Sequence, residues 1–254
     1  MSELSELKKF CKLLADESGK VINKYFLSGV GVEFKEDKSP VTVADKKAEE
    51  IIRNLINKEF PDHGIVGEEF GKENAGSEYQ WIIDPIDGTK SFIHGMITFG
   101  TLIALLKNGE PVLGVINQPV LDLFLIGDNQ TAELNGIKTK VRKTENLEEA
   151  LLLTTDHLNV EKYQNIKKFE KLIHSVKLYR TWGNCFGYYL VAAGLADIMI
   201  DPIMSIWDTA ALIPVIKGAG GIITDYHGQD PMKGNSIIAA TPALHKPVIE
   251  ILNS

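Results

Sequence analysis

The sequence predicts an α/β protein in two unlike halves, α+β over residues 1–145 and α/β over 146–254. Two amphipathic helical stripes near the N-terminus, apolar strand runs around a hairpin signal, and a later alternation of strand and helix patterns carry that prediction. Leu4, Leu7, Cys11, Leu14, Val21, Ile22 and Tyr25 recur at helical spacing among Lys and Glu, so 3–27 reads as one long helix. A second helix follows Thr42, with Ala48, Ile51, Ile52, Leu55 and Ile56 on one stripe. Both need a sheet to cover. Trp81-Ile82-Ile83 and the runs 101–106 and 112–117 supply it, the last two joined by Asn108-Gly109, a strong hairpin signal. Further on, strands near 150–154, 176–179, 196–200, 221–225 and 236–240 alternate with helices near 163–173, 184–194, 208–217 and 243–252. The Lys- and Glu-rich stretch 138–149 marks the boundary between the halves.

Composition narrows the function classes. A chain of 254 residues that is 44% apolar can bury a sizeable core. The net charge of −7, from 27 basic and 34 acidic residues, argues against a nucleic-acid partner, which needs a clustered basic surface. A small anionic substrate would require the local field to be reversed, and a bound divalent cation does so more economically than many arginines. No apolar signal core or membrane-length apolar run is present, so a cytoplasmic protein without a membrane partner is expected. Cys11 and Cys185 stand far apart without zinc-site spacing and are expected to be small buried side chains.

The segment richest in chemistry is Trp81-Ile82-Ile83-Asp84-Pro85-Ile86-Asp87-Gly88-Thr89, an apolar strand running into two carboxylates on a turn constrained by Pro85 and Gly88. Asp84, Asp87 and the Ile86 carbonyl can converge as hard oxygen ligands, which suit Mg²⁺ better than Zn²⁺. A helix beginning after Gly88 would offer its free N–H groups to a phosphate beside that cation. Taken alone, Asp-Pro-Ile-Asp-Gly also reads as a plain surface turn. Gly67-Glu68-Glu69 again places acids at a strand end, where adjacent residues point apart and one is expected to reach the site; a solvated edge is the alternative. Asp45 in Thr42-Val43-Ala44-Asp45 fits a capping box, and Asp208 in Trp207-Asp208-Thr209 fits a helix N-terminal acid.

The order Asp45, Gly-Glu68-Glu, Trp-Ile-Ile-Asp84-Pro-Ile-Asp87-Gly-Thr89 and Trp-Asp208, followed by a Gly-rich helix end, resembles the inositol monophosphatase superfamily over essentially the whole chain. The resemblance implies a layered αβαβα sandwich of the inositol monophosphatase and fructose-1,6-bisphosphatase type, a homodimer, and two to three Mg²⁺ ions per site. It implies that Glu68, Asp84 and the Ile86 carbonyl bind a first metal, and that Asp84, Asp87 and Asp208 bind a second. Glu68 would also help hold a third metal and the attacking water. Thr89, paired with Asp45, would orient and help deprotonate that water, and the Gly88 and Thr89 amides would hold the phosphate of a small phosphorylated metabolite. A catalytically silent relative that still binds metal and phosphate is the weaker reading, since every matched position is filled.

The stretches Phe92-Ile-His-Gly, Phe99-Gly-Thr-Leu-Ile-Ala-Leu-Leu, Pro111 to Pro119 and Arg180-Thr-Trp-Gly-Asn-Cys-Phe-Gly187 resemble the histidinol-phosphate phosphatase branch. That resemblance implies L-histidinol phosphate as substrate, with inositol 1-phosphate or another small ester as the alternative. Asp87, Asn184, Asp201 and Asp208 are the residues expected to face it. The chain departs from the branch at Asn184, where an acid is usual, and at Phe186, where a Tyr is usual. Asn184 also reads as a helix N-cap. Asp201 sits where inositol-type members carry a substrate-contacting Glu and could hold an amine or a hydroxyl.

Overall fold

Burial on the first helix, α1 (Glu3–Tyr25), follows the expected stripe through Leu7, Cys11, Leu14 and Ile22 and adds Phe10, while Val21 and Tyr25 are half-buried and Leu4 is exposed. The computed structural model describes residues 3–29, 31–35 and 40–254. After an antiparallel pair of β1 (Val32–Phe34) and β2 (Pro40–Thr42), α2 (Val43–Glu59) starts on a capping box between Thr42 and Asp45. There follow β3 (Gly64–Gly67), β4 (Gly71–Glu73), β5 (Tyr79–Asp87), the short α3 (Thr89–Ile93), β6 (Gly100–Lys107), β7 (Glu110–Gln118), β8 (Leu123–Gly127), β9 (Ala132–Leu134) and β10 (Ile137–Thr139). These last eight strands form one sheet in the order β10-β9-β8-β7-β6-β5-β3-β4, antiparallel except between β3 and β5. The β6–β7 hairpin turns at Asn108 and Gly109 with φ of 52° and 84°, the left-handed pair such a turn demands.

The later segment contains β11 (Leu151–Thr154), α4 (His157–Tyr163), α5 (Ile166–Ser175), β12 (Leu178–Arg180), α6 (Asn184–Ala192), β13 (Ile198–Asp201), α7 (Ile206–Thr209), α8 (Leu212–Gly218), β14 (Ile222–Thr224), β15 (Ile237–Ala240) and α9 (Pro242–Asn253). Its sheet runs β12-β11-β13-β15-β14, with the first three strands parallel and the last two pairings antiparallel. The helix expected near 163–173 is α5, which starts where the Asn165 side chain caps it, and α4 before it was not anticipated. The helix expected near 208–217 is divided into α7 and α8.

Strand periodicity explains the stacking. Trp81 and Ile83 face α1 and α2, whereas Ile82 between them faces α6 and α8; Ile103 and Leu105 alternate with Leu102 and Ala104 in the same way. The other side of the α6 and α8 layer meets Leu153, Met199, Ile237 and Ala239 of the five-stranded sheet, whose far face carries Leu152, Ile198, Ile200 and Ile238 against α5 and α9. The result is helix, sheet, helix, sheet, helix, the layered αβαβα arrangement the resemblance implied.

Candidate active site

The site assembles at strand ends and helix starts, where backbone groups run out of partners. In β5, Asp84 pairs with Leu102 and Asp87 with Gly100, so three steps on one strand oppose two on the next. The Asp84–Asp87 segment is thus a bulge within a strand and not the free-standing turn expected, and Pro85, with no N–H to lose, suits it. The Pro85 carbonyl accepts from the Thr101 hydroxyl at 2.9 Å, while Asp84 Oδ1 accepts from the Ile86 N–H at 3.0 Å. Gly88 then takes φ of 88°, and α3 begins at Thr89 as expected.

Parallel pairing of β3 with β5 sets Gly67 beside Ile83, and the next N–H, from Glu68, donates to the Ile83 carbonyl at 3.1 Å. Glu68 therefore arrives next to Asp84. The glutamates do not point apart, because both lie past the end of β3, where the pleat no longer applies. Each carboxylate takes an oxygen to the Lys35 ammonium, at 2.8 Å for Glu68 and 2.7 Å for Glu69. Burial pushes Glu69 up to about 7 against the lowering effect of Lys35. Sequence reasoning missed Lys35, which nothing in its neighbourhood separates from the other basic residues.

Asp208 comes from the first turn of α7, where its Oδ2 accepts from the Ser205 N–H at 2.7 Å, so its capping role is real. It also joins the bulge: Asp84, Asp87 and Asp208 each present a carboxylate oxygen, all within 4.8 Å of one another. Burial drives all three pKa values upward. Asp84 is raised further by the charges of Glu68, Asp87 and Asp208; Asp87 reaches about 8 with help from the Asp208 charge, and Asp208 about 6 with help from the Glu68 charge. Hard oxygen donors, crowded and reluctant to ionise together, match a divalent cation of the Mg²⁺ class.

Metal-free protein is accordingly expected to lose stability as pH rises. An acid whose folded pKa lies above the unfolded value of roughly 3.9 stabilises the fold at low pH, and that contribution disappears as pH climbs through the folded value. The loss opens at the unfolded value of roughly 3.9 and closes at about 6 for Asp208 and about 8 for Asp87. Melting temperatures in chelator should fall by more than about 5 °C between roughly pH 5.5 and 8.5, with added divalent cation restoring most at the upper end. A flat profile would mean that these acids do not share one dry site.

Asp45 caps α2 and also bonds Thr89. Its Oδ2 accepts the Thr42 N–H at 2.8 Å and the Thr42 hydroxyl at 2.6 Å, closing the capping box, while Oδ1 accepts the Thr89 hydroxyl at 3.2 Å. The Thr89 hydroxyl lies equally near the Ile86 carbonyl, at 3.2 Å. Burial raises Asp45 above the usual carboxylate range, opposed by its bonds from Thr42 and Thr89.

The start of α6 forms the opposite wall. Asn184 is not an N-cap: Gly183 holds that position with no side-chain cap. Asn184 instead adopts φ of 52°, its N–H donates to the Thr155 hydroxyl at 2.8 Å, and its amide donates to Ser91 Oγ at 3.0 Å. Cys185 is buried as expected, but it belongs to the site, since its N–H donates to Asp87 Oδ2. Asp201 ends β13 with only 4% exposure and accepts from the Thr155 N–H, the Thr155 hydroxyl and the Tyr188 hydroxyl at 3.0–3.1 Å. Burial raises it to about 7. Asp87, Asn184, Tyr188, Asp201 and Asp208 line a cavity of about 150 Å³, which shares Thr155, Asn159, Asn184 and Asp208 with a cavity of about 540 Å³ that reaches Glu68, Gly88 and Thr89. Thr155 and Asn159 were not anticipated, although Thr155 follows an apolar strand just as Glu68 does.

Acids at strand ends, a hydroxyl paired with a buried carboxylate and a layered αβαβα frame all point to one family. The sequence model of the inositol monophosphatase family matches residues 3–254. The chain belongs to the inositol monophosphatase family. It is 44% identical over 238 residues to the bifunctional phosphatase IMPL2, chloroplastic, of Arabidopsis thaliana, spanning 90% of this chain and 68% of that relative. It is 40% identical over 245 residues to the histidinol-phosphatase of Chlorobaculum parvum, spanning 95% and 94% of the two chains. A solved inositol monophosphatase from Zymomonas mobilis superposes with a TM-score of 0.89 at 33% identity over the full length of both chains. As an inositol monophosphatase family member the protein is a phosphatase, a hydrolytic enzyme, and the cluster of Asp84, Asp87 and Asp208 is suited to metal.

Proposed function

We propose that the enzyme is a Mg²⁺-dependent hydrolase of small phosphate monoesters and that L-histidinol phosphate is its preferred substrate. The observation carrying the substrate reading is the cavity walled by Asp87, Asp201 and Asp208, which opens toward the segment of Gly88 and Thr89. A cationic leaving group gains there from Asp201, the one carboxylate of the three not assigned to metal, whose bonds among the described residues come from the Thr155 N–H and the hydroxyls of Thr155 and Tyr188. The relatives named histidinol-phosphatase support the same choice. The neutral amide of Asn184, set among the hydroxyls of Ser91 and Thr98, instead favours a polyol and keeps inositol 1-phosphate as the second reading.

In this reading Glu68, Asp84, Asp87, Asp208 and the Ile86 carbonyl would hold the cations. When bound, the cations would supply positive charge that acidifies water and stabilises the departing oxygen. The chain's own groups do the rest. Thr89 Oγ, held between Asp45 and the Ile86 carbonyl, has a lone pair to fix the attacking water in line with the phosphorus. Asp45, buried and raised in pKa, takes the proton that Thr89 relays. The Gly88 and Thr89 N–H groups at the start of α3 hold phosphate oxygens. Asp201 meets the substrate amine, with Asn184 beside it. The same reading keeps residues 1–145 and 146–254 as the two halves of a cytoplasmic homodimeric enzyme.

Side-by-side kcat/KM values for L-histidinol phosphate, inositol 1-phosphate, an adenosine 3′,5′-bisphosphate-type ester and fructose 1,6-bisphosphate test the choice. Histidinol phosphate should lead by roughly ten- to hundredfold, the worth of one buried charged hydrogen bond. Asp201→Asn should lower its kcat/KM far more than that of an uncharged ester. A tenfold lead for inositol 1-phosphate would reverse the assignment.

A further inference from the structure

We propose that the buried pair Glu49–Arg53 on α2 is a positioning device for Glu68, holding its turn in the geometry that retains a cation. The proposal rests on the reading of Glu68 as a cation ligand given above. Glu49 has 0% exposure, and its carboxylate serves the turn that follows β3. Oε2 accepts the Glu69 N–H at 2.8 Å and Oε1 accepts the Phe70 N–H at 3.2 Å. The Glu68 N–H is already committed to the Ile83 carbonyl at 3.1 Å. Three successive backbone donors are thus fixed, one by β5 and two by a side chain from α2.

Arg53 secures the far flank of the same turn. Its Nε donates to Glu49 Oε1 at 2.8 Å, one terminal nitrogen donates to the Gly71 carbonyl and the other to Glu73 Oε2 at 3.3 Å. The guanidinium also lies 5.9 Å from the centre of the Phe70 ring. Gly67 is required for the approach, since a Cβ there would stand 1.9 Å from Glu49 Oε1. The chain has therefore given up a side chain at the residue before Glu68 to admit a carboxylate beneath the turn.

The placement on α2 ties this to catalysis. Asp45, Glu49 and Arg53 succeed one another at four-residue intervals and so share one helix face. Asp45 sets the Thr89 hydroxyl, while Glu49 and Arg53 set the backbone that carries Glu68 and Glu69. One rigid helix face thereby fixes the spacing between the water-handling pair and the carboxylate across the site. Apolar residues of similar volume can often replace an ion pair buried only for stability, but none could accept the Glu69 and Phe70 N–H groups, so the carboxylate is tied to this turn.

The test is Mn²⁺ binding to the otherwise metal-free protein, followed by electron paramagnetic resonance, in Glu49→Gln, Arg53→Lys and, as a reference, Glu68→Gln. Partners of metal ligands typically govern affinity by roughly 10- to 100-fold. Glu49→Gln should weaken Mn²⁺ binding by roughly tenfold or more and raise the Mg²⁺ concentration for half-maximal turnover in step, leaving kcat at saturating Mg²⁺ within about threefold. Lower melting temperature with unchanged Mn²⁺ affinity would reduce the pair to a structural role and overturn the proposal. If Glu49→Gln does not fold, Arg53→Lys decides by the same titration, because lysine keeps the charge but cannot reach Glu49, Gly71 and Glu73 together. Normal Mn²⁺ affinity in Glu68→Gln would sink both this inference and the ligand reading beneath it, whereas a defect in Glu68→Gln alone sinks the inference only.

Discussion

Excess EDTA is expected to abolish phosphate release, and Mg²⁺ to restore it. Asp84, Asp87 and Asp208 gather within 4.8 Å of one another, the Glu68 charge acts on Asp84 and Asp208, and Lys35, which already spans Glu68 and Glu69, is the one cation seen bonded to any of these four among the described residues. A single ammonium cannot neutralise this group and also meet the charge of a phosphate ester. Without divalent cations the site would repel its own substrate, so the loss should exceed roughly a thousandfold, equivalent to several kcal/mol of transition-state charge stabilisation. Ca²⁺ should bind, since the donors are all oxygen, yet support little turnover because its larger and looser coordination shell spoils in-line alignment. Undiminished phosphate release in EDTA, or vigorous turnover with Ca²⁺ alone, would remove the proposed mechanism.

Thr89→Ala and Asp45→Asn should each lower kcat by roughly 10²–10⁴, the range for losing a positioned general base, and the double variant should be little worse than either. The geometry makes Asp45→Asn the sharper test. Its Oδ2 takes two bonds from Thr42 and its Oδ1 takes one from Thr89. An asparagine can still accept from Thr42 through its carbonyl and keep α2 capped, but its amide then presents N–H groups to Thr89. Fold stability should change little while the hydroxyl is turned the wrong way. Full activity in Asp45→Asn would return Asp45 to a purely capping role.

The strand-end acids Glu68, Asp84 and Asp87 were readable as candidates because an apolar run followed by carboxylates is a local pattern; periodicity placed α1 and α2, and two apolar runs joined by Asn108-Gly109 placed the β6–β7 hairpin. Thr89 and Asp208 needed the family resemblance, since each also fits an ordinary helix start. Lys35 had no local signal. Its role depends on the turn after β3 bringing Glu68 and Glu69 to the same ammonium, which alternation along a strand would have forbidden.

Local sequence was enough for the α/β class and for the elements that carry acids at their ends, because these depend on neighbours within a few residues, while the phosphatase chemistry came from the resemblance of the whole motif order. Tertiary structure alone decided that Asp87 is braced by Cys185, that Asn184 reaches Ser91 instead of capping α6, and that Glu49 supports the turn of Glu68. Those partners lie about 20 to nearly 100 positions apart in the chain, and only strand register, the β5 bulge and the stacking of two sheets on one helix layer bring them within hydrogen-bond reach.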